Sequence, residues 1–158
     1  MRGFKRDTAR RWRWAAGLLL AAAATAAVRT GGASASAPPP GFQIVAHPEN
    51  PASVLGREFL AAAFLEKATR WPDGKSIDAV DLRFGNAVRR RFSERVLRRS
   101  VFAVRSYWQQ RIFSGRGVPP PQLDSDDAVL RYVRARRGAI GYVSQAAATS
   151  GVKVIGVR

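Results

Sequence analysis

The chain has 158 residues, with 27 lysines and arginines against 11 aspartates and glutamates, a formal net charge of +16. It has no cysteine and a single histidine. That excludes disulfide scaffolds, thiol nucleophiles, cysteine-ligated metals and a lipidated N-terminal cysteine. A balance this basic favours anionic partners: phosphate-like solutes, acidic proteins or anionic lipid head groups.

Residues 1–13 carry Arg2, Lys5, Arg6, Arg10, Arg11 and Arg13 against one acid, Asp7. The apolar run "WAAGLLLAAAATAAV" follows at 14–28, and the small-residue zone "ASASA" at 33–37. A membrane span needs about 20 apolar residues, and this run is shorter. A basic start, a short apolar run and an A-x-A site together read as a secretory signal peptide over 1–35, cleaved after Ala35. Arg10-Arg11 before Trp-Arg-Trp is compatible with twin-arginine export. The expected location is therefore periplasmic or secreted, with no transmembrane segment after cleavage. Seven of the 27 basic residues and one of the 11 acidic residues lie in 1–35, which leaves +10 on the remainder. Export argues against nucleic acid as the partner of that charge.

"APPPG" closes a proline-rich linker over 36–41. "FQIVA" at 42–46 predicts a buried strand, broken by "HPENPAS". "LGREFLAAAFLEK" predicts a helix with Gly56 at its N-cap and Phe59, Leu60, Ala63 and Phe64 as its apolar stripe. "TRWPDGK" is a turn. "SIDAVDL" predicts a second strand. The spacing of Val88, Phe92 and Val96 predicts a helix over 86–97. A third helix is expected from a Ser100 cap, with Val101, Val104, Trp108 and Ile112 on its stripe. "DSDDAVLRYVRARRG" predicts a helix capped by Asp124, with Arg136 and Arg137 in its last turn and Gly138 after it. "AIGYV" and "VKVIGV" predict two closing, buried strands. Strands alternating with helices give one α/β domain over 42–158 with a mixed, partly parallel sheet flanked by helices.

No catalytic constellation stands out. His47 sits at a strand end beside Pro48 and reads as a surface residue. "DSDD" at 124–127 lacks the glycine and terminal glutamate of a calcium loop and is explained by helix capping. No nucleophile elbow, zinc-protease motif or P-loop occurs. The expectation is a non-enzyme without cofactor or metal. Arg91, Arg95 and Arg98 share a helix face that lacks the interleaved aromatics of a nucleic-acid site. The stretch "DLRFGNAVRRRF" at 81–92 is different. A strand, a Gly85-Asn86 turn and a helix N-terminus offer free backbone N–H groups and a positive dipole end. Arg89 lies in the first turn, where a cation opposes the dipole and suits an anion. Arg83 lies on the same path.

Several of these stretches read together resemble periplasmic phosphate-binding proteins of ABC transporters. "FQIVAHPENPASVLGREFLAAAFLEKATRWPDG" is similar to the opening of their second lobe; "YWQQRIFSGRG", "VRARRGAIGYVS" and "GVKVIGV" are similar to its later helix and strands. The resemblance covers 42–158 and implies one lobe of a type II periplasmic-binding-protein fold. It implies an exported, substrate-binding-protein-like domain that takes phosphate or a similar oxyanion and works beside an ABC transporter. In that family the strand-to-helix turn clasps phosphate with glycine backbone, Ser and Thr hydroxyls and an arginine. Gly85 and Arg89 match that pattern; Asn86, Ala87 and Val88 stand where Ser, Gly and Thr would be. The resemblance, with Arg83 added from its place on the strand-to-turn path, assigns Gly85, Asn86, Ala87, Val88, Arg89 and Arg83 to the anion site. Val88 has no hydroxyl to donate, and a single lobe leaves the site open to water, so weak binding is expected. The alternative is a periplasmic module for an acidic protein or envelope component, keeping the fold without the ligand.

Overall fold

The computed structural model describes residues 41–158; the expected signal peptide and nearly all of the linker lie outside the described residues. In chain order the elements are β1 (Phe42–Ala46), β2 (Val54–Leu55), α1 (Arg57–Phe64), β3 (Asp78–Ala79), β4 (Asp81–Leu82), α2 (Ala87–Phe92), a π-helical turn (Ser93–Leu97), α3 (Val101–Phe113), β5 (Gln122–Leu123), α4 (Asp126–Arg134), β6 (Ala139–Ser144) and β7 (Lys153–Val157). The main sheet has the order β2-β7-β1-β6-β3. β1 is antiparallel to both neighbours, while β2 runs parallel to β7 and β3 to β6. The sheet is mixed, as the alternation of elements predicts.

Alternation along β6 sends side chains to opposite faces and divides the core. On one face Tyr142 stacks on Phe92, with ring centroids 4.0 Å apart, and Phe64 of α1 completes the cluster. On the other face Gly141 admits α4: a Cβ there would lie 2.7 Å from Val129 Cγ1 and 2.8 Å from Val80 Cγ1. Helices α1 and α2 therefore cover one face and α4 the other, giving three layers. Gly138 is tied to the Trp71 turn. A Cβ on it would meet Ser76 O at 2.1 Å, and its carbonyl accepts from Trp71 Nε1 at 3.0 Å. Two of the sequence stretches that carry the resemblance are thus in direct contact.

The expected strand at 76–82 is two short ones. Val80 N donates to Ile140 O of β6, but Asp81 N donates to Pro121 O and Arg83 N to Leu123 O, so the chain changes partner after Val80. β4 and β5 form a separate parallel pair. β2, β4 and β5 each lead straight into a helix. At the end of β6, Ser144 N donates to Asp126 Oδ1 in the first turn of α4. Helix N-termini thus gather at the carboxyl ends of parallel strands, where open α/β sheets take ligands.

Three local expectations change. α4 is capped by Ser125, whose side chain accepts from Ala128 N, because Asp124 pairs with Arg83 instead. α4 closes at Arg134, leaving Arg136 and Arg137 beyond it, where they pair with Asp78 and Glu49. β7 buries only Ile155, since its outer neighbour β2 is two residues long and covers little of it.

Candidate functional site

The turn after β4 is built by local hydrogen bonds. Asn86 N donates to Arg83 O at 3.1 Å. Gly85 sits at φ 97°, which strains any L side chain, although a Cβ there would meet nothing within 4 Å. The constraint on Gly85 is therefore conformational, not steric. Asn86 caps α2: its Oδ1 accepts from Val88 N at 2.8 Å and, more loosely, from Arg89 N at 3.4 Å. The sequence reading left the Val88 N–H free for an anion; the carboxamide that replaces a hydroxyl here takes it. The N–H groups of Gly85 and Ala87 have no partner among the described residues. Val88 itself packs into the core.

Arg89 is turned inward, with only 3% of its surface exposed. A helical side chain leans toward the N-terminal turn, which brings this guanidinium back over the end of β4. Nη1 donates to Leu82 O at 2.7 Å, and Nη2 lies 2.9 Å from Asp81 Oδ2. Asp81 also accepts from Leu82 N at 2.8 Å and from the Tyr142 hydroxyl. Burial pushes the Asp81 carboxyl above the ordinary range, against the pull of Arg89 and then of Tyr142. Burial and the neighbouring Asp81 push the Tyr142 phenol well above its ordinary value. The three side chains form an internal network that fixes the strand end from which the turn departs. Among the described residues, only Arg89 Nε of this guanidinium is buried without a partner.

Arg83 is exposed and pairs with Asp124, itself exposed. Of the six residues assigned to the anion site, Arg83, Gly85, Asn86 and Ala87 thus face the surface or border it, and Val88 and Arg89 support the turn from behind. His47 departs from expectation: it is 9% exposed, and its Nδ1 accepts from Glu49 N at 3.2 Å, holding the loop after β1.

Two clefts adjoin this end of the sheet. One, about 450 Å³, is lined by Arg57, Arg91 and Arg95 with Phe42, Gln145 and Val157. Helical spacing grouped Arg91 with Arg95 from sequence, whereas Arg57 joins them only through the fold. The other, about 310 Å³, lies between α3 and the β4–β5 pair; Phe84, Trp108 and Arg89 are among its walls. No periodicity in the sequence points to it, because its walls come from three separate segments.

No model of a known protein family matches the sequence, and no curated protein matches it. Solved structures do. The chain superposes on a phosphate ABC transporter substrate-binding protein from Clostridium perfringens, solved with bound phosphate, at a TM-score of 0.59 and 20% identity, covering 75% of this chain and 45% of that one. The chain has the fold of one lobe of a phosphate-binding protein. PstS from Borrelia burgdorferi gives a TM-score of 0.59 at 12% identity, covering 74% of this chain and 47% of that one. An ABC-type phosphate transport receptor from Vibrio cholerae gives 0.54 at 19%, covering 75% and 46%. At these identities the likeness is one of fold, and the chain spans less than half the length of these neighbours. The expected α/β lobe with a mixed sheet flanked by helices is the observed one. No helix among the described residues is long and apolar enough to cross a membrane.

Proposed function

We propose that this chain is an exported binding domain, not a catalyst, that takes inorganic phosphate or a similar oxyanion weakly at the turn formed by residues 83–87. The observation that carries the reading is the exposed Gly85 turn at the N-terminus of α2, with the Gly85 and Ala87 N–H groups lacking partners among the described residues and the Arg83 cation beside them. The neighbours' description as phosphate substrate-binding proteins supports it. Arg89 and Val88 act as positioning residues: Arg89 anchors the turn to β4, and Val88 anchors it to the core. With two backbone donors and one exposed cation that is shared with Asp124, affinity should lie near the millimolar range, about 4 kcal/mol. Periplasmic location, removal of residues 1–35 and work beside an ABC transporter belong to the same reading.

Phosphate titration followed by amide chemical shifts tests it. Shifts should appear at residues 85–87, weaken in Arg83→Ala and persist in Arg98→Ala. The triple change Asn86→Ser, Ala87→Gly, Val88→Thr adds two hydroxyls and eases backbone approach, and should tighten phosphate about tenfold. No tightening would remove the turn as the anion site. One observation favours a second reading, an interaction module for an acidic protein or envelope component: Phe84 and Phe102 stand exposed against one another, ring centroids 5.2 Å apart, beside the Arg105 guanidinium.

A further inference from the structure

The smaller cleft beside the turn has its own chemistry. Trp108, Ile112, Pro119 and Phe84 give it an apolar wall, and Arg105 supplies the charge. Among the described residues, no acidic side chain lines it. Arg105 is exposed and lies with its guanidinium carbon 5.6 Å from the Phe84 ring centroid, which holds a cation at the rim. Arg89 is 97% buried in the wall, and its Nε has no partner while the other two nitrogens are satisfied. That nitrogen is closed to solvent and Asp81 offsets the Arg89 charge, so Arg105 is the cation the cleft presents to a ligand. Gln122, whose Oε1 accepts loosely from Phe84 N at 3.4 Å, is held at the opposite wall. The volume, about 310 Å³, is at the small end of the range for ligand pockets, roughly 300–1,000 Å³, and suits a single ring.

We infer that this cleft, which adjoins the phosphate turn and shares Phe84 with it, is a second binding site for a small aromatic carboxylate. The ring would lie against Trp108 and Ile112, and the carboxylate would meet Arg105 at the rim. Inorganic phosphate fits it poorly, because an oxyanion with no apolar part leaves that wall wet. A neutral aromatic leaves the Arg105 cation without an acceptor.

The test uses 4-fluorobenzoate as probe and the ¹⁹F relaxation of the probe with the purified chain as readout. 4-Fluorobenzamide is the neutral control. The acid should bind and the amide should not. Arg105 and Ile112 are exposed, so their variants keep the fold. Arg105→Gln should weaken the acid about tenfold, ~1.4 kcal/mol, and Ile112→Glu should abolish binding. Arg98→Gln, which removes an arginine remote from the cleft, should change nothing. Equal binding of acid and amide, an unchanged Ile112→Glu, or an Arg98→Gln loss matching that of Arg105→Gln would each overturn the assignment. Displacement of the probe by equimolar phosphate would also overturn it, by moving the probe to the turn. Absence of phosphate shifts at 85–87 with probe binding intact would count against the phosphate reading alone.

Discussion

Arg89 shows how a residue can be legible in place but not in role. Its position in the first turn of α2 follows from the Gly-Asn signal, and its exposure to an anion seemed to follow from the dipole. What reverses the side chain is Asp81 together with Tyr142, and those two lie 61 residues apart in sequence. No local pattern joins them. The network they form makes a firm prediction. Asp81→Asn keeps the shape but leaves the Arg89 charge buried without its counter-ion, and should cost roughly 3–5 kcal/mol in denaturant unfolding. Tyr142→Phe removes one hydrogen bond to the carboxylate and should cost less, about 1–3 kcal/mol. Equal losses would mean that the tyrosine, not the ion pair, holds the strand end. A second tyrosine gives a pH signature. Partial burial, and then the hydrogen bond from its hydroxyl to Asp78 Oδ1 at 2.6 Å, push Tyr132 up to about 12. A raised value means that its contribution to stability is whole below the ordinary value near 10 and is lost as pH rises through about 12. Stability measured over that alkaline window should fall less steeply in Tyr132→Phe; an identical slope in both chains would show that the Asp78 contact does not matter.

At the scale of elements, apolar spacing located every long helix and the longer strands, because burying a stripe is what those segments do. It missed β2 and β5, which are two residues each and carry no period. It also overstated α3. Val104 and Trp108 are buried, but Ile112 is 53% exposed, because α3 leaves the body of the lobe before its last turn. Trp108→Ala should still cost about 3–5 kcal/mol, since it empties a core position. A near-neutral result would mean that α3 is held by its loops. The helix over 86–97 likewise reads as one in sequence, yet its last five residues form a π-helical turn. That turn ends at Arg98, which is forced to φ 55°. A left-handed arginine is strained by about 1–2 kcal/mol, so Arg98→Gly should stabilise the chain, by about 1 kcal/mol after the added freedom of the unfolded glycine is subtracted. A loss of stability there would mean that Arg98 makes a contact worth more than its strain.

At the scale of the molecule, charge and fold point to different kinds of binding, and salt separates them. The described lobe carries twice as many lysines and arginines as acids, so any anion is attracted to it over several ångströms, whether or not a site exists. Screening acts on that long-range part: the Debye length shortens from about 30 Å at 0.01 M salt to about 8 Å at 0.15 M. A phosphate held by the Gly85 and Ala87 N–H groups and Arg83 interacts at contact distance and keeps most of its affinity across that range. Its apparent Kd should rise by no more than about threefold, ~0.7 kcal/mol. A poly-glutamate chain spread over Arg83, Arg90, Arg105 and the Arg57 cleft should lose far more, about a hundredfold, because each of its contacts is solvent-exposed. Titrating the same protein sample with both ligands at the two salt levels compares them directly. If phosphate fades as steeply as the polymer, its shifts at 85–87 report the field of the basic face. The turn is then a structural cap closed by Asn86, and the acidic-partner reading takes its place.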